Sequence, residues 1–258
     1  MPSESTTETS FPLDANPASS ILSLTKRRPA LAWREASTGS PTSPQIIMSD
    51  KTISAAEPQS GRHQVNIASL LAEFYASTST LATFEEVAEC PPIYGQLLDH
   101  HSHMTVTVEA FHKDEVDVVV HRSRSVLDDG ESVWQNDPLL KTDARLAIAE
   151  RTVTYSREIT LVTHNTGKVV QYGLVRLDPS TLGREVWLEI ASGEIPLGRV
   201  LIKHNVLRSV ERYQLWKVTP GVALASLLKT DPGETVYGRT ALIRCNDQPA
   251  IELIEIVR

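Results

Sequence analysis

The chain has 258 residues, 41% of them apolar, so it is long enough to bury a full hydrophobic core. Its 32 acidic and 25 basic residues give a net charge of −7, which argues against nucleic acid or an anionic membrane as the main partner. Two cysteines are too few for a disulfide framework, and no apolar run approaches the roughly 20 residues that span a bilayer, so we expect a soluble, cytoplasmic protein.

Residues 1–60 differ in composition from the rest of the chain. They hold 7 of the 15 prolines and 19 serines or threonines, with only isolated apolar residues. Such a segment cannot bury enough apolar surface to offset the entropy lost on ordering it. The composition predicts a disordered extension over residues 1–60 and one domain over residues 65–258.

Helices are predicted at the start of this domain. Apolar residues recur at steps of three and four from Val65 to Phe74, which is typical of an amphipathic helix. A second short helical run is expected around residues 84–87, before Pro91 and Pro92 interrupt the chain.

A β pattern follows. Runs of β-branched residues at 105–111 and 116–121 predict a hairpin that turns at 112–115. Residues 122–150 are expected to form a connector with a helical piece near 139–148. Strands are then predicted at 152–162 and 168–177, with a turn at 164–167.

Two helices are predicted after these strands. Asp178 and Pro179 cap and open the first, which Gly193 ends. Pro196 opens the second, because its ring presets φ and it has no N–H to leave unbonded. The N–H groups of Leu197 and Gly198 then remain free in the first turn and could seat a small carboxylate. The alternative is a plain amphipathic helix.

The remaining segments complete the fold class. An extended run at 206–218 precedes a short helix at 222–228, and strands at 236–245 and 250–257 form a last hairpin. Strands joined mostly by hairpins, with helices between pairs, predict an α+β fold with a single antiparallel sheet of about six strands and helices packed on one face.

One arginine lies where a sheet is expected to be apolar. Period-two alternation places Arg157 on the same face as Tyr155, Ile159 and Leu161. A buried guanidinium is costly unless an anion satisfies it. Arg157 should therefore have a carboxylate partner, supplied by the protein or by a ligand.

Two carboxyl groups lie among aliphatic residues in the last predicted strand. Glu255 shares a face with Leu253 and Val257, whereas Glu252 points to the other face with Ile254. A carboxyl group in an apolar setting can take up and release a proton near neutral pH. Both glutamates are therefore candidates for proton transfer or substrate binding.

Arg239 is the second arginine on an apolar strand face. Either Arg157 or Arg239 pairs with Glu255 or Glu252 in a structural salt bridge, or these side chains contact a ligand. The sequence leaves both alternatives open.

Three histidines, His100, His101 and His103, precede the first predicted hairpin. Neighbouring side chains project apart and no acidic partner follows at the spacing of a metal site. We expect a solvated loop and no metal.

Five segments, taken in order over residues 90–258, resemble the chorismate pyruvate-lyase family, which includes the 4-hydroxybenzoate synthases. The family shares a fold with the ligand-sensing UTRA effector domains of some transcription regulators. The segments are Ser102-His-Met104-Thr105, Arg157-Glu-Ile159, Ile195-Pro-Leu197-Gly-Arg199, Tyr237-Gly-Arg239, and Gln248-Pro249 with the glutamate-bearing strand that follows.

The resemblance implies an enclosed ligand pocket and the removal of pyruvate from chorismate, without metal or cofactor, to leave 4-hydroxybenzoate or a related hydroxybenzoate. It places Met104 at the pocket entrance, Arg157 on a substrate carboxylate and the Leu197 N–H on a ligand oxygen. It assigns proton transfer to a glutamate of the last strand, for which Glu255 fits best and Glu252 is held in reserve. Gly198 and Arg239 complete the expected substrate contacts.

Two other functions stay open at this point. A non-catalytic member of the fold would bind an aromatic acid, and a scaffold protein would use Arg157 and Glu255 as an internal ion pair. Residues 1–60 lack the helical periodicity of a DNA-binding helix-turn-helix. The expected partner is a small molecule, with the chain acting as a monomer or homodimer.

Overall fold

A computed structural model describes residues 65–135 and 142–258, so the extension predicted at 1–60 lies outside the described residues. The strands are β1 (Ala82–Val87), β2 (Val116–Leu127), β3 (Ser132–Trp134), β4 (Thr152–Thr163), β5 (Val169–Leu177), β6 (Arg208–Pro220), β7 (Val236–Cys245) and β8 (Gln248–Val257). The helices are α1 (Ile67–Leu71), α2 (Thr78–Leu81), α3 (Pro92–Leu98), α4 (Met104–His112), α5 (Thr142–Arg151), α6 (Arg184–Ser192), α7 (Leu197–Lys203) and α8 (Val222–Leu228), with a 3₁₀ turn at Pro179–Thr181.

The strands form one antiparallel sheet in the order β1-β6-β7-β8-β5-β4-β2-β3. The predicted α+β class with a single antiparallel sheet is confirmed, and the sheet has eight strands rather than about six. None of the helices in the described part is long and apolar enough to cross a membrane.

Both faces of the sheet carry helices. On the first face, apolar side chains of α3, α4, α6 and α7 pack on the central strands, among them Leu98, Val108 and Val200. On the second face, α1 and α8 pack through Leu70 and Leu224. The connection pattern predicted all helices on one face. Instead, α1 and α8 cover the face opposite to Arg157.

Local sequence chemistry sets several element ends. The Asn66 side chain accepts a hydrogen bond from the Ser69 N–H at 3.0 Å and caps α1. Gly193, with φ of 72°, ends α6 in the left-handed region. Asn246 and Asp247, with φ of 51° and 63°, form the tight turn between β7 and β8.

The strand predicted at 105–111 is wrong, because these residues form helix α4. β-Branched residues cost only a few tenths of a kcal/mol each in a helix. The helix buries Met104, Thr105 and Val108 together against the sheet, and this burial outweighs that cost. Lys113, with φ of 54°, ends the helix, so no hairpin turn forms at 112–115.

The helix predicted around 84–87 is also wrong, because this segment is edge strand β1. It pairs with β6, where Phe84 lies opposite Val218 and contacts Trp216 with ring centroids 6.3 Å apart. The pairing supplies backbone hydrogen bonds that four isolated helical residues could not make.

Three further boundaries differ from the prediction. Strand β2 continues into the expected connector and pairs there with β3. The helical piece predicted near 139–148 corresponds to α5, which ends later, at Arg151, while residues 139–141 of the prediction lie outside the described residues. The helix predicted from Pro179 is split into the 3₁₀ turn and α6, because Leu182 is extended.

Close contact between β7 and β8 leads to a first prediction. A Cβ added at Gly238 would lie 2.7 Å from the Glu255 carbonyl oxygen, so Gly238→Ala should push the strands apart. We expect the free energy of unfolding to fall by about 2 kcal/mol, measured by urea denaturation. Gly95→Ala is the control: the helical Gly95 has no neighbour closer than 3.9 Å, and the change should stabilise by about 0.5–1 kcal/mol. Equal effects of the two substitutions would contradict this prediction.

Candidate functional site

A cavity of about 50 Å³ lies on the first face of the sheet. Its floor is formed by side chains of β4, β5, β7 and β8, and its roof by residues 102–105 and 196–198, where α4 and α7 begin. Six of the seven residues predicted to form the site line it: Met104, Arg157, Leu197, Gly198, Arg239 and Glu255. The fold therefore brings segments that are distant in the sequence to one place.

Strand register explains the shape of the floor. Ile159, Gly173, Glu255 and Arg239 form one row across β4, β5, β8 and β7. Gly173 carries no side chain, and a Cβ there would lie 3.2 Å from the Ile159 side chain. The Ile159 side chain therefore covers the place where Gly173 lacks a side chain, and the Glu255 carboxyl group lies on the next strand of the same row.

Arg157 is the most unusual group of the cavity wall. It is 1% exposed, and its Nη1 donates to the Ile190 carbonyl oxygen at a long 3.3 Å. Its Nε has no hydrogen-bond partner, and no carboxylate among residues 65–135 and 142–258 lies within ion-pair distance. Burial lowers the pKa of the Arg157 guanidinium, a shift that the Tyr155 hydroxyl opposes in part. Arg157 is thus a buried cation with unused donors beside a cavity.

The acid next to Arg157 in the sequence cannot serve as its partner. Strand alternation turns Glu158 to the second face, where it accepts hydrogen bonds from Arg122 Nε at 2.7 Å and the Tyr172 hydroxyl at 2.8 Å. Burial raises the pKa of Glu158, but hydrogen bonds from Arg122, Tyr75 and Tyr172 outweigh it and leave the pKa below its ordinary value. Glu158 is therefore fully engaged on the side away from the cavity.

Arg239 is equally buried but fully engaged. Its Nε donates to Glu255 Oε2 at 2.7 Å, and Nη1 donates to the carbonyl oxygens of Leu98 and His100 at 3.3 and 2.8 Å. Nη2 donates to the Ser102 carbonyl oxygen at 3.3 Å. Arg239 therefore ties the loop that leads to α4 to the sheet and holds the roof in place.

The two glutamates of β8 lie on different faces. Glu255 lines the cavity, and its Oε1 makes no hydrogen bond to any described residue. Glu252 lies on the second face, where Arg176 Nε donates to it at 2.8 Å, so it does not reach the cavity. Of the alternatives that the sequence left open, the salt bridge is formed by Arg239 and Glu255, whereas Arg157 is left for another partner.

The start of α7, where the sequence predicts an anion seat at Leu197 and Gly198, lines the cavity and packs against α4. A Cβ at Gly198 would lie 3.0 Å from Thr105 Oγ1 and 3.5 Å from the His103 ring. The missing side chain therefore lets α7 approach α4 closely. Because α7 has only 7 residues, its dipole is weak, and Arg157 is the stronger anion-binding group.

The three histidines do not converge on one point. His100 bonds the Leu97 carbonyl oxygen at 2.8 Å and His101 bonds that of Val210 at 3.1 Å. His103 lines the roof, and its Nε2 accepts a hydrogen bond from Arg208 Nε. Burial and the Arg208 charge lower the pKa of His103 to about 4, so at neutral pH its imidazole is uncharged and carries its proton on Nδ1.

Gln171 also lines the cavity, although it was not among the predicted site residues. It belongs to none of the motifs, but the alternation of polar and apolar residues could have identified it. It is 3% exposed, it lines the floor, and its Oε1 has no hydrogen-bond partner. The signal lies in β5, where alternation places Gln171 on the same face as Gly173 and Val175. It was missed because a neutral amide is a weaker signal than a buried charge.

The chain matches no protein-family model and no curated protein. Among solved structures it is similar to the effector domain of PhnF from Mycobacterium smegmatis, with 12% identity, a TM-score of 0.39, and coverage of 61% of this chain and 88% of that chain. It is also similar to the C-terminal domain of the histidine utilization repressor from Pseudomonas syringae, with 12% identity, a TM-score of 0.35, and coverage of 55% and 91%. At these identities and scores, neither a family nor a function follows from the similarity.

The different surroundings of the two arginines lead to a second prediction. Arg157→Met removes a buried cation that has no anionic partner, so the free energy of unfolding should stay the same or rise by about 1–3 kcal/mol. Arg239→Met leaves Glu255 buried without its cation and the roof carbonyl groups without their donor. The free energy of unfolding should therefore fall by about 3–5 kcal/mol. Chemical denaturation of both variants provides the comparison. An equal loss in both would show that Arg157 is structural.

Proposed function

We propose that the cavity binds a small ring compound through its carboxylate and that the protein eliminates pyruvate from chorismate. The observation that carries the proposal is Arg157, a buried guanidinium in the cavity wall with an unpartnered Nε and no protein carboxylate of the described residues beside it. A ligand carboxylate would supply the missing anion through charge-assisted hydrogen bonds. Because the guanidinium is already desolvated by the fold, little further desolvation of the protein opposes binding.

The position of Glu255 fits the chemistry of this elimination. The reaction removes the proton from the ring carbon that bears the hydroxyl group, and that electron pair forms the last ring double bond. The neighbouring carbon–oxygen bond of the enolpyruvyl ether breaks, and the released enolate takes up a proton to become pyruvate. Glu255 Oε1, which has no hydrogen bond to a described residue, would accept the ring proton. Aromatisation drives the step, and no oxidation or reduction occurs.

The size of the cavity adds one requirement. Its volume of about 50 Å³ is well below that of the roughly 150 Å³ cavity known to admit benzene. A six-membered ring therefore needs the roof to move outward. The return of the roof would exclude water from the bound ring.

One observation favours a second candidate, which is binding without catalysis. Glu255 Oε2 is held by Arg239 in a buried ion pair, and protonation of the carboxylate weakens that pair. A protein that only binds an aromatic acid would keep the pair intact throughout.

Incubation of the purified protein with chorismate tests the proposal. We expect pyruvate to appear, followed by coupled reduction with lactate dehydrogenase, at a rate proportional to protein concentration. Arg157→Met should lower kcat/KM by a factor on the order of 100–1,000, because the substrate carboxylate loses its partner. Glu255→Gln should reduce kcat at least as strongly, since an amide cannot accept the proton.

Glu252→Gln is the matched control, because Glu252 lies on the other face of the sheet, and it should keep full turnover. Binding of 4-hydroxybenzoate, measured by calorimetry, separates the remaining outcomes. Binding without pyruvate release would support the non-catalytic candidate. If the protein neither binds 4-hydroxybenzoate nor releases pyruvate, both candidates are wrong.

A further inference from the structure

The second unpartnered polar group of the cavity, Gln171, has no part in the chemistry described so far. It comes from β5, it is 3% exposed, and no described residue bonds its Oε1. Unpaired amides are rarely buried, because the desolvated donor and acceptor lose their hydrogen bonds to water without replacement. We propose that Gln171 determines specificity by hydrogen bonding to a hydroxyl group on the ligand ring, at the end of the ring opposite to its carboxylate. This inference rests on the proposed function.

Strand register places Gln171 and Arg157 two rows apart on the cavity floor. Arg157 pairs with Val175, and Gln171 lies four residues from Val175 on the same face of β5. Four residues of a strand span about 13 Å between Cα atoms. In the row between them, Gln171 Nε2 and the Ile159 side chain lie 3.7 and 3.2 Å from where a Cβ of Gly173 would be, so the Gln171 amide extends toward Arg157. A substituted ring between the two side chains therefore requires the outward movement of the roof described above.

The same register places Glu255, the proposed proton acceptor, between Arg157 and Gln171. Glu255 pairs with Gly173, in the row between those of Arg157 and Gln171. A ring with its carboxylate on Arg157 and its hydroxyl group on Gln171 would hold the hydroxyl-bearing carbon on the Gln171 side of this row. That carbon loses its proton in the proposed elimination, so one binding pose satisfies all three side chains.

An amide suits a hydroxyl group because it offers both a donor and an acceptor, as the hydroxyl group does. A ring without the hydroxyl group would leave the amide unpaired in a closed cavity. Sites that bury a hydrogen-bonding group discriminate strongly against ligands that lack its partner. Ile159 and Leu161, the neighbouring floor residues of β4, are apolar and cannot replace Gln171 in this role.

Calorimetric titration of 4-hydroxybenzoate and benzoate tests the inference. The wild-type protein should bind 4-hydroxybenzoate more tightly than benzoate by roughly tenfold or more. In Gln171→Leu this preference should fall to near one, through weaker binding of 4-hydroxybenzoate and not of benzoate. Gln171→Met, with a side chain of similar length, provides the same comparison if the leucine variant does not fold. Gln248→Leu, at an exposed hairpin position, should keep the wild-type preference.

The outcomes separate this inference from the proposed function. A preference that survives in the folded Gln171 variants overturns the inference and leaves the binding function standing. Equal affinity of the wild-type protein for both compounds has the same meaning. If the wild-type protein binds neither compound, the inference fails, and the proposed function fails with it when pyruvate release is also absent.

Discussion

A guanidinium buried without an anionic partner is the constraint on which this site depends. Arg157 lies on β4, whose backbone is hydrogen bonded to β2 on one side and β5 on the other, so its side chain cannot turn away from the core. The Ile190 carbonyl oxygen, which accepts a hydrogen bond from it, is distant at 3.3 Å. Holding such a group costs folding free energy, and a bound carboxylate would recover it. The cavity is thus pre-arranged for an anion by the sheet itself.

Arg157 and Arg239 lie on the same face of the sheet but have different hydrogen-bond partners and therefore different roles. Arg239 lies beside Glu255 and below the loop at 98–102, so its donors meet a carboxylate and several carbonyl oxygens. Arg157 lies one row away, opposite Val175, and meets no carboxylate of the described residues. Arg239 therefore shapes the cavity and fixes Glu255, while Arg157 stays available. The register of the strands, and not the residue type, creates this difference.

The charged groups of the floor and the α7 side of the roof could be predicted from the sequence, and the helix on the α4 side of the roof could not. Alternation in β4 and β8 is a local property, so it places Arg157 and Glu255 on an apolar face whatever the order of the strands in the sheet. The helix α4 was missed because residues 105–111 have the β-branched composition of a strand, and only packing against the sheet makes them helical. Which arginine pairs with Glu255 depends on strand order across the sheet, and that order is not encoded in any local pattern.

A crystal structure with 4-hydroxybenzoate bound would show directly whether Arg157 binds the ligand carboxylate. We expect the carboxylate to lie within hydrogen-bond distance of the Arg157 guanidinium, while Arg239 keeps its contact with Glu255. A carboxylate bound elsewhere, or an Arg157 that remains without an anion while the ligand is present, would contradict this expectation.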